Sequence, residues 1–235
     1  MKAPTRTIGN IDLYRTDCMD VMRQCPDKYF DIAIVDPPYG HETFDNGRFG
    51  SIFNKYKVKR TGGSWASKYK DNINGWDVAP PPEYFNELFR ISQYQFIFGG
   101  NYFLLPPSRN FFIWEKGISD TFTMAMVEFA WTNVPGNAKI YSCCPQGTSR
   151  DKRFHPTQKT VKLYHFILKH YTKPNMKIID THFGSGSLEV ACIKAQCGYQ
   201  VTACEIDDFY FEKAVERLEI VNQQYERTLL KQEAC

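Results

Sequence analysis

The stretch from Phe30 to Gly40, FDIAIVDPPYG, constrains this chain more than any other. From Phe30 to Val35 it is apolar apart from Asp31, and the run stops abruptly at Asp36-Pro37-Pro38. A strand that is apolar on both faces belongs inside a parallel sheet, covered on each side. Proline lacks the ladder donor and cannot continue a central strand. The segment therefore reads as a buried parallel strand emptying into a loop at its carboxyl end. That is the edge at which open α/β sheets bind their ligands.

The remaining chain supplies partners for such a sheet. Residues Glu83 to Ser92 read as an amphipathic helix, and strands are expected near Gln95 to Phe98, Phe111 to Trp114 and Met126 to Trp131. Thr157 to Tyr171 reads as a helix, with Val161, Tyr164, Phe166 and Leu168 among its apolar positions. A short strand, Lys177 to Asp180, leads into the turn Phe183-Gly184-Ser185-Gly186-Ser187. A helix from about Leu188 to Gln196, a strand from Gln200 to Glu205 and a long charged helix from about Asp207 follow. There is no repeat and no low-complexity segment. The 235 residues are expected to form a single domain, 1–235.

The second half carries a nucleotide-binding pattern: strand, glycine turn, helix, strand ending in an acid. The turn offers main-chain N–H groups, and its small residues admit a ligand close to the backbone. Glu205, at the end of the next strand, is placed to accept hydrogen bonds from a ribose diol. A dinucleotide site usually wants G-x-G-x-x-G, but Glu189 stands where the third glycine would be. This favours an adenosyl cofactor without a pyrophosphate. The plain alternative is a tight turn with no ligand.

The first half carries the chemistry. Pro37 and Pro38 remove two N–H donors and keep their carbonyls. Asp36 adds a carboxylate, and Tyr39 adds a flat face. A loop of acceptors suits a substrate that offers an NH2. The lone pair of such an amine is delocalised into its ring, and two acceptors that draw its hydrogens out of plane would free that pair for attack on a methyl sulfonium. The plain alternative is a proline-rich turn with Asp36 as a turn residue.

These residues resemble the amino-methyltransferases of DNA, in the permuted group whose catalytic motif precedes its cofactor motif. Asp36 to Gly40 matches the D-P-P-Y-G of that family, and His155-Pro156-Thr157-Gln158-Lys159 matches its H-P-T-Q-K. Asp180 to Ser187 matches D-P-F-x-G-S-G-[ST] in part, and the three occur in the family's order. Leu13 to Asp20 resembles its opening strand, whose acid, here Asp17, would lie near the cofactor adenine. The resemblance implies a Rossmann-like α/β fold with a mostly parallel central sheet, helices on both faces and a circularly permuted motif order. It implies S-adenosylmethionine as cofactor, with Asp17, His155, Thr157, Lys159, Asp180, Phe183, Gly184, Ser185, Gly186, Ser187 and Glu205 around it. His155 and Lys159 are expected at its methionine end. The catalytic set would be Asp36, Pro37, Pro38 and Tyr39, with the target base flipped out of the duplex, stacked on Tyr39 and methylated directly. Three positions depart from the family: Thr181 and His182 stand in place of Pro and Phe, and Thr160 in place of a Pro after H-P-T-Q-K.

A DNA partner is also suggested by the segment after the catalytic loop. Arg48, Lys55, Lys57, Lys59, Arg60, Lys68 and Lys70 are interleaved with Phe49, Phe53, Tyr56, Trp65 and Tyr69, with no acid among them. Cations beside aromatics suit phosphates and an unstacked strand, so residues 41–75 read as a DNA-facing loop. Arg150, Lys152 and Arg153 form a weaker cluster. Residues 99–153 would hold any target-recognition insertion. The net charge of +3 does not by itself identify a nucleic-acid partner. The eight cysteines include no C-x-x-C pair, so no metal site is expected. The chain has no long apolar run and no signal-peptide pattern. A cytoplasmic location with no membrane contact is the expectation, with a homodimer as an option. The family often places Ser at position 36 in its cytosine enzymes, so Asp36 tilts the expectation to N6 of adenine. The alternatives are N4 of cytosine, methylation of RNA or of a protein glutamine, and a catalytically inactive DNA-binding relative.

Overall fold

The computed structural model describes residues 2–40, 78–120, 125–145 and 153–233. In chain order the elements are β1 (Arg6–Ile8), β2 (Ile11–Arg15), α1 (Cys18–Met22), β3 (Phe30–Val35), α2 (Pro82–Ile91), β4 (Ser92–Phe98), β5 (Phe111–Glu115), β6 (Val127–Thr132), β7 (Lys139–Ser142), α3 (Val161–Tyr171), β8 (Lys177–Asp180), α4 (Ser187–Ala195), β9 (Gln200–Glu205) and α5 (Asp208–Glu233). The strands form one sheet in the order β1-β2-β9-β8-β3-β4-β6-β5-β7. Its centre, β2-β9-β8-β3-β4, is parallel throughout.

The apolar strands alternate between two cores, as period-two side chains require. Ile32, Ile34, Phe96, Phe98 and Ile178 face one core with Leu163, Ile167, Leu188 and Phe211 of α3, α4 and α5. Ala33, Val35, Ile97 and Ile179 face the other with Val21, Met22, Tyr84 and Leu88 of α1 and α2. Helices therefore cover both faces, and the strands can be apolar on both, as the run Phe30 to Val35 demands. Fully burying each such side chain contributes roughly 1.5–3 kcal/mol.

The site is placed by the sheet order. β8 leads through α4 to β9 on one side, whereas β3 has β4 on its other side. The chain thus diverges between β8 and β3, and their carboxyl ends flank the crevice where doubly wound sheets hold ligands. Asp180 closes β8 and Asp36 follows β3, so the two motifs, far apart in sequence, meet at adjacent strand ends.

Two expectations change. Helix α3 begins at Val161 rather than Thr157 because Thr160 caps it: its backbone is extended and its side chain accepts from the Leu163 N–H at 3.2 Å. Within residues 99–153, β5, β6 and β7 belong to the central sheet, so only the connections between them could serve as an insertion. The basic loop 41–75, with Arg48, Lys55, Lys57, Lys59, Arg60, Lys68 and Lys70, lies outside the described residues.

Candidate active site

Asp36 is held at both carboxylate oxygens. The Tyr39 hydroxyl donates to Oδ1 at 2.8 Å, and the Lys159 ammonium forms a short ion pair with Oδ2. Lys159 also lies 3.2 Å from Glu128 Oε2, and Lys116 sits 2.7 Å from Glu128 Oε1. The two lysine side chains are only 4–5% exposed, and the two acids 18% and 22%. Burial pushes the Asp36 carboxyl above its usual range, and Lys159 offsets this only in part. Glu128 is also buried, but its two lysines hold it below the usual range. Asp36 is therefore the more basic of the two carboxylates.

Tyr39 stacks on Tyr102, with ring centroids 5.1 Å apart and planes at 27°, and meets Phe103 edge-on at 6.2 Å. Gly99 makes this possible. Its φ is +66°, and a Cβ there would come within 2.2 Å of the Tyr39 ring. Tyr39 therefore supplies both a ring and a hydroxyl that orients Asp36. The reading from sequence included only the ring.

On the cofactor side, Glu205 accepts the Gly184 N–H at 2.8 Å on one oxygen and the Asp207 N–H at 2.9 Å on the other. A carboxylate has about four acceptor positions, so a lone pair on each oxygen stays available for a ribose diol. Asp180 accepts the His182 main-chain N–H at 3.0 Å, and burial pushes its carboxyl up to about 7. Glu189, fully buried at the start of α4, is also pushed up by burial and by Asp180. Gly186 has a φ of +70°, and a Cβ there would lie 2.8 Å from the buried Phe183 ring, so this glycine serves the turn itself. The turn is pinned from α5: Arg217 donates to the Ser185 carbonyl at 2.7 Å and to Ser187 Oγ at 3.0 Å, and the Ser185 and Ser187 hydroxyls lie 3.1 Å apart. Asp17 caps α1 through the Met19 N–H at 2.8 Å and is exposed. Uncrowded lone pairs on Glu205 and a main chain held open at the strand ends fit an adenosyl group.

The H-P-T-Q-K segment bridges the halves. His155 lies beside the turn, its Nε2 3.5 Å from where a Cβ on Gly184 would be. The exposed Thr157 places its N–H and hydroxyl 3.3 and 3.2 Å from His155 Nδ1, and burial drives this imidazole down to about 3. His155 is thus neutral, with Nδ1 as the acceptor. Lys159, expected at the methionine end of the cofactor, instead has its ammonium on Asp36 and Glu128. Pairing across the strand ends decides this, because two acids attract the ammonium there. Arg153 donates to the Pro156 carbonyl at 2.7 Å and to that of His155 at 3.3 Å.

The departures at Thr181 and His182 are mutually satisfied. The Tyr84 hydroxyl lies 2.6 Å from Thr181 Oγ1, which lies 2.9 Å from His182 Nδ1. Burial lowers His182 to about 4, so its ring is neutral. Its link to Asp180 runs through the main chain, not through the imidazole.

The fold recurs in solved structures. M1.HpyAVI in complex with SAM superposes at a TM-score of 0.52 with 19% identity, covering 88% of this chain and 98% of that one. PvuII DNA methyltransferase (cytosine-N4-specific) gives 0.56 and 12%, covering 95% of each chain. TTHA0409, a DNA modification methylase from Thermus thermophilus complexed with S-adenosyl-L-methionine, gives 0.52 and 15%, covering 89% of this chain and 95% of that one. At these identities the likeness concerns the fold. No curated protein matches the chain. The family model described as DNA methylase, for the N6 and N4 enzymes, matches residues 55–216. It begins after the Asp36–Gly40 loop and takes in H-P-T-Q-K, the glycine turn and Glu205. With more than half of its length matched and the methyltransferase fold in place, the chain belongs to the N6/N4 DNA methylase family, which transfers methyl groups to DNA from S-adenosylmethionine.

Proposed function

We propose that this enzyme methylates N6 of adenine in DNA, acting on a base flipped out of the duplex. The observation that carries the reading is the position of Asp36. It is a basic, largely buried carboxylate at the end of β3, beside the end of β8 from which the glycine turn departs. Tyr39 and Lys159 each take one oxygen, which leaves a lone pair on each for an incoming N–H. Asp36 and the Pro37 carbonyl accept the two amine hydrogens and turn the nitrogen lone pair out of the ring plane. S-adenosylmethionine, when bound, supplies the activated methyl group. As the N–C bond forms, the nitrogen becomes more acidic, and Asp36 is placed to receive the proton it sheds. Rate enhancement rests on positioning and electrostatics, without a covalent intermediate.

Glu205 would hold the ribose, Asp180 and the 183–187 turn the centre of the cofactor, and Asp17 its adenine end. The cations between Arg48 and Lys70 would contact phosphates next to the site, and the connections within 99–153 would read the sequence. Asp rather than Ser at position 36 supports adenine over cytosine. The test is nucleoside analysis of DNA from a methylation-free host expressing the protein. N6-methyladenine is expected. N4-methylcytosine would move the same chemistry to the other amine, and unmodified DNA would overturn the proposal.

A further inference from the structure

We propose that Glu128 and Lys116 are positioning residues for this reaction, acting through Lys159 to set how strongly Asp36 accepts hydrogens from the substrate amine. The inference rests on the role given above to Asp36 and extends it to two residues that neither motif contains.

Charges alternate along the cluster: Asp36, Lys159, Glu128, Lys116. Contacts run from the short Asp36–Lys159 pair through 3.2 Å to 2.7 Å. Each ammonium also lies over an aromatic face, Lys159 at 4.5 Å from the Phe98 centroid and Lys116 at 5.3 Å from that of Trp114. Glu128 and Lys116 come from the β5–β6 hairpin, in which Trp114 pairs with Glu128 and the Lys116 N–H donates to the Met126 carbonyl at 2.9 Å. Apolar residues could fill such a space at little or no cost in stability, because desolvating charges consumes most of what their pairing returns. A buried row of four charges that ends on the amine-accepting carboxylate therefore points to a task in the reaction.

The task follows from the geometry. An ammonium bound to Asp36 alone would occupy the carboxylate and weaken it as an acceptor. Glu128 shares that ammonium and leaves Asp36 more of its charge. Lys116, on the far oxygen of Glu128, limits how far Glu128 draws Lys159 away. The groups that face Asp36 are Lys159 and Tyr164 from α3 and the segment before it, Glu128 from β6, Asp180 from β8, and Tyr39 from its own loop.

Two measurements test this. One is the pH dependence of methyl transfer to DNA from a methylation-free host. The other is the carbon-13 NMR titration of the Asp36 carboxyl in the protein alone. Removing a neighbouring negative charge makes Asp36 more acidic, and removing a positive one does the reverse. Glu128→Gln should therefore move the acid limb and the NMR midpoint to lower pH by on the order of one unit, with turnover reduced roughly tenfold. Lys116→Met should move both to higher pH, and Lys116→Arg should leave both in place. The double variant Glu128→Gln/Lys116→Met keeps the cluster neutral, so it tests the proposal even where a single variant does not fold. Glu128 is nearer to Asp36, so the double variant should still lie below the wild type, by less than Glu128→Gln alone. The proposal is overturned if both single variants shift the midpoint the same way. It is equally overturned if activity falls at every pH with the midpoint unmoved, or if the double variant lies at or above the wild type. Failure of the wild type to methylate any DNA would sink the functional reading instead, and the NMR titration would still decide the role of the cluster.

Discussion

The two halves of the crevice treat their carboxylates in opposite ways. Asp36 and Glu128 are matched by Lys159 and Lys116. Asp180, Glu189 and Glu205 take part in none of the ion pairs among the described residues, and Asp180 and Glu205 rely on main-chain N–H donors. The difference matches the ligands proposed for each side. An exocyclic amine is neutral and needs a balanced acceptor. A sulfonium with an α-ammonium is cationic, and acids without a resident cation complement it.

The largest expected effect comes from breaking the balanced half. Asp36→Ala should reduce transfer on the order of 10³-fold or more, by removing the charged acceptor at the reacting atom. Transfer of labelled methyl, with thermal unfolding to confirm the fold, measures it, and near-normal turnover would remove Asp36 from the chemistry.

The uncompensated half should instead cost stability. The folded protein holds the Asp180 proton up to about 7, whereas an unfolded aspartate releases it near 4. The folded state thus binds more protons, and its stability falls as pH rises between those values. Asp180→Asn escapes this fall and can still accept the His182 N–H. It should be more stable than the wild type by roughly 2–4 kcal/mol at pH 8 and by clearly less at pH 5. Urea titrations at both pH values check the sign, and a gain independent of pH would refute it. Asp180→Asn should also weaken cofactor binding, which separates fit to the ligand from stability.

Glu205→Ala should weaken S-adenosylmethionine binding by about 1.5–3 kcal/mol, the scale of hydrogen bonds to a charged group. Calorimetry that finds unchanged affinity would take Glu205 off the ribose. The smallest effect is expected at Tyr39. Tyr39→Phe keeps the ring and loses the 2.8 Å bond to Asp36, so turnover should fall roughly tenfold, and Tyr39→Ala should fall much further. Equal losses in the two variants would mean that the hydroxyl alone matters.

Local pattern was enough for the buried strands. Phe30 to Val35, Lys177 to Asp180 and Gln200 to Glu205 stand as strands at the residues where their apolar runs begin and end. Such runs have few local alternatives, since only a strand covered on both faces buries them. The edges were less legible. β7 alternates between half-buried and exposed residues, and α1 has only five residues, so neither leaves a period long enough to read.

The sequence by itself determined the parallel sheet, the order of the acceptor loop and the glycine turn, and the acid at the end of β9. Each is written in consecutive residues whose backbone preferences and burial needs act locally. Only the tertiary structure decided which charges meet. Lys159 sits in a cofactor-like segment yet binds Asp36, Glu128 and Lys116 come from a hairpin without a motif, and Tyr84 on α2 satisfies Thr181. Ion pairs and buried hydrogen bonds form between groups distant in the chain. Their selection depends on which strand ends lie side by side once the sheet has formed, because only there does burial make an unpaired charge too costly to leave alone.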